Sequence, residues 1–391
     1  MIRKFSFKNF YSFKDEANIS FEVNKKAPNT DAYVDNGQDP NLTKILTVIG
    51  PNASGKTNLL KVLPFLKSFI VDSFSYKIEE KMPFKSFAFD NNKNPSEFLV
   101  EFEIEKNIYQ YKLILNSNKV LNETLKIKNN NRFTTLFKRN WNQQTKEYEL
   151  DFKKYNLPAN FSSLLRENAS IISTANQIKH KLSSKIINYW KNIQINNELS
   201  PFEASEFLYK NNLIKKKVDE LLIKFDLGLS TIDVLEKEVK NKDNKTELFY
   251  FPIGVHNNLA DKNSPFYLSF FDESNGTQHL FLILYQILKT LDVGGVIILD
   301  ELDSDLHPFM IPEIVNLFIS PIYNTKNAQL LFSTHQPQIL NSLDKYQIIL
   351  CEKDENGCSE NWRLDEIDGV RSDDNYYTKY MSGAYGAIPR V

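Results

Sequence analysis

A glycine-rich turn that ends in Gly-Lys-Thr could bind the phosphates of a nucleotide. It spans residues 50–57, GPNASGKT, after a short apolar run and before apolar residues at helical spacing. This spacing between a strand and a helix is that of a phosphate-binding loop, whose N–H groups and helix N-terminus face an anion. Lys56 supplies a mobile cation for the β- and γ-phosphates, and the Thr57 hydroxyl is the expected Mg²⁺ ligand. The predicted nucleotide-binding residues are Gly50, Asn52, Ser54, Gly55, Lys56 and Thr57.

Two carboxylates follow an apolar run in residues 296–308, VIILDELDSDLHP. A buried parallel strand would present Asp300 and Glu301 at its carboxyl end, where ligands bind in open α/β sheets. We expect Asp300 to hold the Mg²⁺ ion and Glu301 to polarise a water molecule aligned with the γ-phosphate. Taken alone, the pattern would favour a strand end with two solvated acids. With the phosphate-binding loop upstream, the catalytic interpretation is favoured.

A histidine ends another apolar run, in residues 330–340, LLFSTHQPQIL. A lone histidine is usually structural, but His335 follows the acidic strand by about the length of a helix and a loop. We therefore predict that His335 contacts the γ-phosphate and helps to order the attacking water.

A second anion site is predicted at residues 273–278, ESNGTQ, just before a helical pattern. The Ser274 hydroxyl and the Gly276 backbone would lie at a helix N-terminus, which attracts anions. One chain needs only one phosphate site for one nucleotide, so the motif predicts two chains facing each other, each completing the other's site. An ordinary helix N-cap is the alternative.

Composition narrows the class of protein. The chain has 391 residues, enough for two domains or one with an insertion, and a net charge of −1. It therefore has no global attraction to nucleic acid or membranes, and nucleic-acid binding would need a local basic patch. Cys351 and Cys358 fit neither a zinc site nor a disulfide framework. No signal peptide or membrane span is evident, so we expect a cytoplasmic protein without a membrane partner.

The hydrophobic pattern predicts three parts. Residues 1–150 would form the first part of an α/β unit that carries the phosphate-binding loop, residues 151–245 a helical insertion, and residues 246–391 the second part of that unit. Predicted strands lie at 2–21 (two strands), 84–89, 98–115 with a turn at Asn107, 120–127, 133–138, 248–255, 295–299, 329–333 and 347–351. Predicted helices lie at 56–68 with an interruption at Pro64, across 178–193 and 207–225, and at 272–291 and 308–318, before a docked C-terminal tail.

The order of the motifs GPNASGKT, ESNGTQ, VIILDELD and STH resembles that of ABC-type ATPases related to SMC and DNA-repair ATPases. The opening IRKFSFKNFYSF also resembles their first strand. The chain is more similar to the abortive-infection, OLD-like AAA family ATPases of bacteria, which share ES-x-GT, DELD-x-x-LHP and a tail like YMSGAYGAIP at residues 380–389. The likeness covers most of the chain and is weakest over residues 151–245. It implies an α/β P-loop NTPase with an ABC-type head, a mixed sheet and an antiparallel meander.

The resemblance also implies roles for single residues. Ser274 and Gly276 would act in trans, residues 303–305 would be the dimer-contacting D-loop, and His335 the switch histidine. The family's usual serine is replaced by Asp305. The glutamine-loop residue is not placed. OLD nucleases add a Toprim domain, but the roughly fifty residues after His335 are too few for one, so no nuclease is predicted in this chain.

The sequence thus predicts an ATPase, with ATP and Mg²⁺ as cofactors, that works as a homodimer or higher oligomer. By family analogy it would be a sensor or regulator of a separate effector protein in anti-phage defence, responding to a phage-derived trigger. The alternative is a repair-type ATPase that binds DNA structures through nucleic-acid contacts of basic residues, with candidates Lys179, Lys181, Lys185, Lys215, Lys216 and Lys217. A transporter ATPase is disfavoured by the strands that follow the phosphate-binding loop.

Overall fold

The computed structural model describes residues 1–35, 40–88, 94–196, 200–225, 228–240, 246–257 and 264–389. The strands are β1 (Ile2–Lys8), β2 (Ala17–Ser20), β3 (Glu22–Val23), β4 (Tyr33–Val34), β5 (Asn41–Thr43), β6 (Ile45–Ile49), β7 (Ser96–Ile104), β8 (Asn107–Leu115), β9 (Val120–Asn129), β10 (Arg132–Asn142), β11 (Glu147–Asp151), β12 (Ile193–Ile195), β13 (Leu229–Lys240), β14 (Thr246–His256), β15 (Phe266–Ser269), β16 (Val296–Leu299), β17 (Gln329–Ser333), β18 (Ile348–Lys353) and β19 (Ser359–Arg363). The helices are α1 (Lys56–Leu60), α2 (Val62–Asp72), α3 (Ile171–Gln177), α4 (Lys181–Lys191), α5 (Pro201–Lys210), α6 (Asn212–Lys224), α7 (Asn275–Val293), α8 (Met310–Ile319) and α9 (Tyr376–Met381).

A six-stranded sheet in the order β12-β16-β17-β6-β18-β19 carries the predicted motifs. All its neighbouring pairs are parallel except β18–β19. Every residue of β6, β16 and β17 is buried, as expected for parallel strands covered on both faces. Because β6, β16 and β17 are parallel neighbours, their carboxyl ends meet at one edge of the sheet. The phosphate-binding loop, Asp300 and His335 each follow one of these ends.

A seven-stranded antiparallel sheet forms the predicted meander, in the order β11-β10-β9-β8-β7-β1-β2. It shares a hydrophobic core with α2, α3 and α4, in which Phe10, Phe65 and Phe98 contact one another. Together the two sheets confirm the predicted α/β fold with a mixed sheet and a meander.

The predicted strand at residues 84–89 is wrong: residues 84–88 form no strand, and residue 89 lies outside the described residues. The Phe84 N–H donates to the Met82 carbonyl, and the Lys85 carbonyl accepts from Tyr11. One of these bonds forms a local turn and the other joins the segment to the N-terminal turn, so neither belongs to a strand ladder. The alternation that imitated a strand reflects Phe84 packing against Phe10 and Phe65.

Two boundaries also differ from prediction. The turn after β7 is at Glu105 and Lys106, which both have positive φ, and Asn107 already begins β8. The helix after the phosphate-binding loop breaks at Lys61 and continues as α2 to Asp72. Pro64 lies in the first turn of α2, where its missing N–H has no helical partner to lose.

The described part of residues 151–245 contains the helices α3, α4, α5 and α6, in keeping with the predicted helical character, but it also contains strands. β12 extends the central sheet beside β16, and β13 pairs along its length with β14. Ile178, expected on the apolar stripe of α4, instead precedes the helix and is exposed, because the His180 side chain caps α4 by accepting from Ser183. The domain limits at residues 150 and 245 stay a prediction.

The C-terminal segment docks on the central sheet, as predicted. The Tyr380 hydroxyl donates to the Ala387 carbonyl at 2.7 Å, and the Ala387 N–H donates to Glu352 of β18 at 2.8 Å. Among the described residues, no helix has the length and apolarity needed to cross a bilayer.

Candidate nucleotide site

The phosphate-binding loop joins β6 to α1 and is packed so closely that its glycines cannot be replaced without strain. A side chain at Gly50 would place its Cβ 1.9 Å from the carbonyl oxygen of Cys351. A side chain at Gly55, which has φ of 117°, would place its Cβ 2.3 Å from Ser359 Oγ. Both neighbours belong to the β18–β19 hairpin. The glycines are therefore required for packing as well as for approach of a phosphate.

The same hairpin holds the loop backbone. Ser359 Oγ donates to the Ser54 carbonyl at 2.6 Å, and the Cys351 thiol donates to the same carbonyl at 3.5 Å. Burial raises the pKa of the Cys351 thiol to about 12, so it stays a neutral donor. Ser12 contacts Ser359 and Asn58 through its hydroxyl and extends this clamp to the N-terminal turn. Sequence reasoning missed the clamp because it involves residues about 300 positions apart.

Lys56 is buried beneath the loop, where its ammonium donates to the carbonyls of Gly50 and Pro51, both at 2.9 Å. Burial lowers the pKa of Lys56, and the nearby carboxylates of Asp300 and Glu301 oppose this effect. The cation is thus folded back on its own loop and lies close to groups that a phosphate would approach.

Asp300 and Glu301 follow β16 as predicted, and Ser333 at the end of β17 organises both. The Ser333 hydroxyl donates to Asp300 Oδ1 at 2.6 Å and accepts from the Glu301 N–H at 2.8 Å. Glu301 has φ of 51°, so the chain turns sharply at this residue. Its carboxylate is about half exposed, consistent with a group that contacts solvent.

His335 lies beside Glu301, with Nε2 3.6 Å from Glu301 Oε1. The His335 N–H donates to both carboxylate oxygens of Asp303 at 3.1 Å. The loop after the acidic strand therefore sets the position of the histidine. Sequence reasoning did not identify Ser333 or Asp303 as supporting residues.

A cavity of about 370 Å³ brings the phosphate-binding loop together with Glu301 and His335. It is lined by residues 52–58, Glu301, His335 and Lys353. Asn58 and Lys353 were not predicted, and both also line a second cavity of about 770 Å³ that includes Tyr11 and Ser12. The two cavities therefore adjoin at Asn58 and Lys353.

Ser274 and Gly276 are not part of this cavity. Ser274 is the N-cap of α7, accepting from the Thr277 N–H at 3.1 Å, which is the role of an ordinary cap. Gly276 packs against the loop that follows Glu301, since a Cβ there would lie 2.8 Å from the Asp305 carbonyl oxygen. Within one chain, the predicted second anion site is therefore separate from the first.

Asn196, at the end of β12, is a further residue at this sheet edge. Its Nδ2 donates to the Asp300 carbonyl at 2.7 Å, across the parallel pair β12–β16. The three-residue strand that positions it gave no usable sequence signal.

The donor set fits Mg²⁺ bound together with a nucleotide. The described residues contain no group of three or more histidine, cysteine or acidic side chains that could hold a metal. In such sites Mg²⁺ is bound by one or two protein oxygens together with phosphates and water. Thr57 and Asp300 can supply the protein oxygens. The Ser54 hydroxyl, in the loop that lines the cavity, is buried without a hydrogen-bond partner among the described residues.

Two of the basic residues considered for DNA binding are paired with acids. Lys185 contacts Glu105, and Lys215 lies 2.8 Å from Asp219. The positions of these two lysines are therefore explained by solvated helix faces, and no nucleic-acid contact is needed to account for them.

Residues 45–341 match the family model "AAA domain, putative AbiEii toxin, Type IV TA system". The chain belongs to this family. As an AAA-type P-loop protein it is of a class that binds ATP and Mg²⁺ and hydrolyses ATP in general. None of the curated proteins matches this chain. The OLD-like subtype stays a prediction.

Solved structures similar to this AAA chain include two SMC heads. The SMC head domain from Thermotoga maritima is 12% identical, with a TM-score of 0.42, 93% of this chain covered and 98% of that one. The Smc head domain with an extended coiled coil bound to the C-terminal domain of ScpA, from Pyrococcus furiosus, is 12% identical, with a TM-score of 0.49 and coverage of 93% and 97%.

Proposed function

We propose that this chain binds ATP with Mg²⁺, hydrolyses it to ADP and phosphate, and forms a homodimer when ATP is bound. One observation carries the proposal: the phosphate-binding loop, Glu301 and His335 line a single cavity, whereas Ser274 and Gly276 lie outside it. Two anion-binding motifs that do not meet within one chain can meet between two copies, so that the loop of one copy faces the Ser274–Gly276 turn of the other.

Each residue has a role in this proposal. The loop N–H groups and Lys56 bind the phosphates, and Thr57 and Asp300 hold Mg²⁺, which neutralises charge on the phosphates when bound. Glu301 accepts a proton from the attacking water, and His335, 3.6 Å away, orients that water and contacts the γ-phosphate. Ser333 keeps the Asp300 carboxylate directed by its 2.6 Å hydrogen bond.

Ser274 and Gly276 of a second copy would close the site from the opposite side. They begin the 19-residue helix α7, whose N-terminus attracts a phosphate through its N–H groups and dipole. Binding of ATP would then join two chains and hydrolysis would release them. The cellular output would be this opening and closing.

Two variants test the ATP chemistry. Lys56→Ala should lose ATP binding in a titration, and Glu301→Gln should bind ATP without turnover. With ATP and Mg²⁺, light scattering should give Glu301→Gln twice the 45.5 kDa mass of one chain. Wild-type ATP turnover in both variants would contradict the assignment of Lys56 to ATP binding and Glu301 to hydrolysis.

We further propose that the switch senses a phage-derived trigger and controls a separate effector in anti-phage defence. The support is the family description, which names an AbiEii toxin and a toxin–antitoxin system, together with the motif resemblance. Cells that carry the chain with its neighbouring genes should restrict phage plating, and Lys56→Ala should abolish the restriction. Equal plating on both strains for every phage tested would argue against this role. DNA-stimulated hydrolysis with salt-dependent DNA binding would instead favour the repair-type alternative.

A further inference from the structure

The N-terminal part of α7 contacts residues 303–305 at two points. His279 Nδ1 lies 2.8 Å from the Ser304 carbonyl oxygen, and the Gly276 backbone packs against the Asp305 carbonyl. A carbonyl can only accept, so the His279 ring donates, and its proton is on Nδ1.

The opposite side of the same loop holds the hydrolytic pair. The Asp303 carboxylate accepts from the His335 N–H through both oxygens, and Ser304 Oγ lies 3.5 Å from Glu301 Oε2. Residues 303–305 therefore lie between α7 and the Glu301–His335 pair. A displacement of one side of the loop would reach the other through three successive residues.

The loop is a turn with its own backbone hydrogen bonds, from the Ser304 N–H to the Glu301 carbonyl at 2.9 Å and from the Leu306 N–H to the Asp303 carbonyl at 3.3 Å. Leu302 and Leu306 are buried on either side, but Asp303 and Ser304 are only partly buried and Asp305 is exposed. Asp305 has φ of 60°, a left-handed conformation that costs a non-glycine residue energy. A hydrogen bond to the Ser304 carbonyl from a helix side chain is a direct means of holding such a loop in place.

We propose that His279 is a positioning residue that couples the Ser274–Gly276 turn to Glu301 and His335 of the same chain. The inference rests on the proposed function. When the turn contacts a nucleotide held by a second copy, α7 and the Ser304 carbonyl move together, and the Asp303 contact sets His335 beside Glu301. Hydrolysis in one site then depends on occupation of the other.

Three substitutions at one position test this role. His279→Ala removes the donor, His279→Asn keeps an N–H at the δ position, and His279→Gln moves it one bond further out. The expected kcat falls about tenfold for Ala and Gln and stays within about threefold of wild type for Asn. The Kd for ATP should stay within about twofold for all three, because no contact to the P-loop is changed. Lys289→Ala, which changes a side chain further along α7 that contacts Tyr285, is the matched control and should keep wild-type kcat.

Hydrogen exchange of the nucleotide-free chain provides a readout that does not need ATPase activity. His279→Ala and His279→Gln should speed exchange of the His335 amide, which donates to Asp303, and His279→Asn should not. The inference would be overturned if His279→Ala and His279→Asn had the kcat of wild type, or if all three variants lost kcat equally. It would also be overturned if His279→Ala left the exchange rate of the His335 amide unchanged. If the wild-type chain has no ATPase activity, the proposed function is rejected. The exchange pattern would still test whether the hydrogen bond from His279 to the Ser304 carbonyl positions His335. If His279→Ala fails to fold, the Asn and Gln pair decides.

Discussion

The Ser333 hydroxyl donates a 2.6 Å hydrogen bond to Asp300 while it accepts from the Glu301 N–H. One side chain on β17 thus orders both acids that follow β16. Ser333→Ala leaves the Glu301 N–H without its acceptor and frees the Asp300 carboxylate. We expect kcat to fall about tenfold, which is within the about 1–3 kcal/mol that an unpaired buried polar group costs. The Mg²⁺ concentration for half-maximal activity should rise.

The matched control for Ser333 is on the neighbouring strand. Thr47 is fully buried on β6, and its hydroxyl has no hydrogen-bond partner among the described residues. Thr47→Val should therefore leave kcat and the Mg²⁺ dependence unchanged. Equal kinetics for Ser333→Ala and wild type would mean that Asp300 does not need this hydrogen bond.

Gly55→Ala tests whether the phosphate-binding loop is limited by packing. Gly55 has φ of 117° and its added Cβ would lie 2.3 Å from Ser359 Oγ. Gly228 has φ of 70°, and none of the described residues lies within 4 Å of an added Cβ, so Gly228→Ala tests the cost of the backbone conformation alone. We expect a loss of roughly 1 kcal/mol in the free energy of unfolding for Gly228→Ala and roughly 3 kcal/mol for Gly55→Ala, measured in urea. Similar losses for the two variants would show that the contact with Ser359 is unimportant.

The motifs at the edge of the central sheet could be predicted because each is local. A buried strand, a turn and a polar residue lie within about a dozen positions, and parallel pairing then brings the strand ends together. This reasoning placed Lys56, Glu301 and His335 near one another, and the structure has them around one cavity.

The supporting contacts could not be predicted, for physical reasons. Ser359 and Ser54 are separated by 305 positions, and nothing in the local pattern of either indicates the pairing. β12 has only three residues within a helical region, too few for a period-two signal. At residues 84–88, aromatic alternation imitated a strand, although the backbone bonds to Met82 in a local turn and to Tyr11 in the N-terminal turn.

A buried ion pair anchors the segment before α3 to the meander. Glu123 and Arg139 are both fully buried, 2.9 Å apart, and Glu123 also accepts from the Ile171 N–H and from Tyr111. Burial raises the pKa of Glu123 in spite of this pairing. Glu123→Gln leaves the arginine charge unpaired, so we expect a loss of about 3–5 kcal/mol in the free energy of unfolding.

The double variant Glu123→Leu with Arg139→Met removes both charges from this site. It should be less destabilised than Glu123→Gln alone, as measured by denaturant unfolding of the nucleotide-free chain. A double variant that is less stable than the single variant would contradict the expectation.

The pKa of Lys56 predicts a pH effect on the nucleotide-free chain. Burial lowers this pKa from 10.5, so between the folded value and 10.5 the unfolded chain binds more protons than the folded chain. The free energy of unfolding should therefore rise with pH across that alkaline window. In Lys56→Met this contribution is absent, and the slope from denaturation curves at successive pH values should be smaller. An identical slope in the two proteins would show that Lys56 titrates alike in both states.

The central claim is that each ATP site is built from two chains, and complementation of ATPase activity tests it most directly. Lys56→Ala removes nucleotide binding, and Ser274→Asp places a negative charge at the helix start while keeping a good N-cap. Each variant alone should be inactive. An equal mixture should recover about a fortieth of wild-type activity, because half of the dimers are mixed, each has one intact site, and that site turns over about tenfold more slowly while the other site is empty. Full activity of Ser274→Asp alone, or a mixture as inactive as its parts, would contradict the shared site.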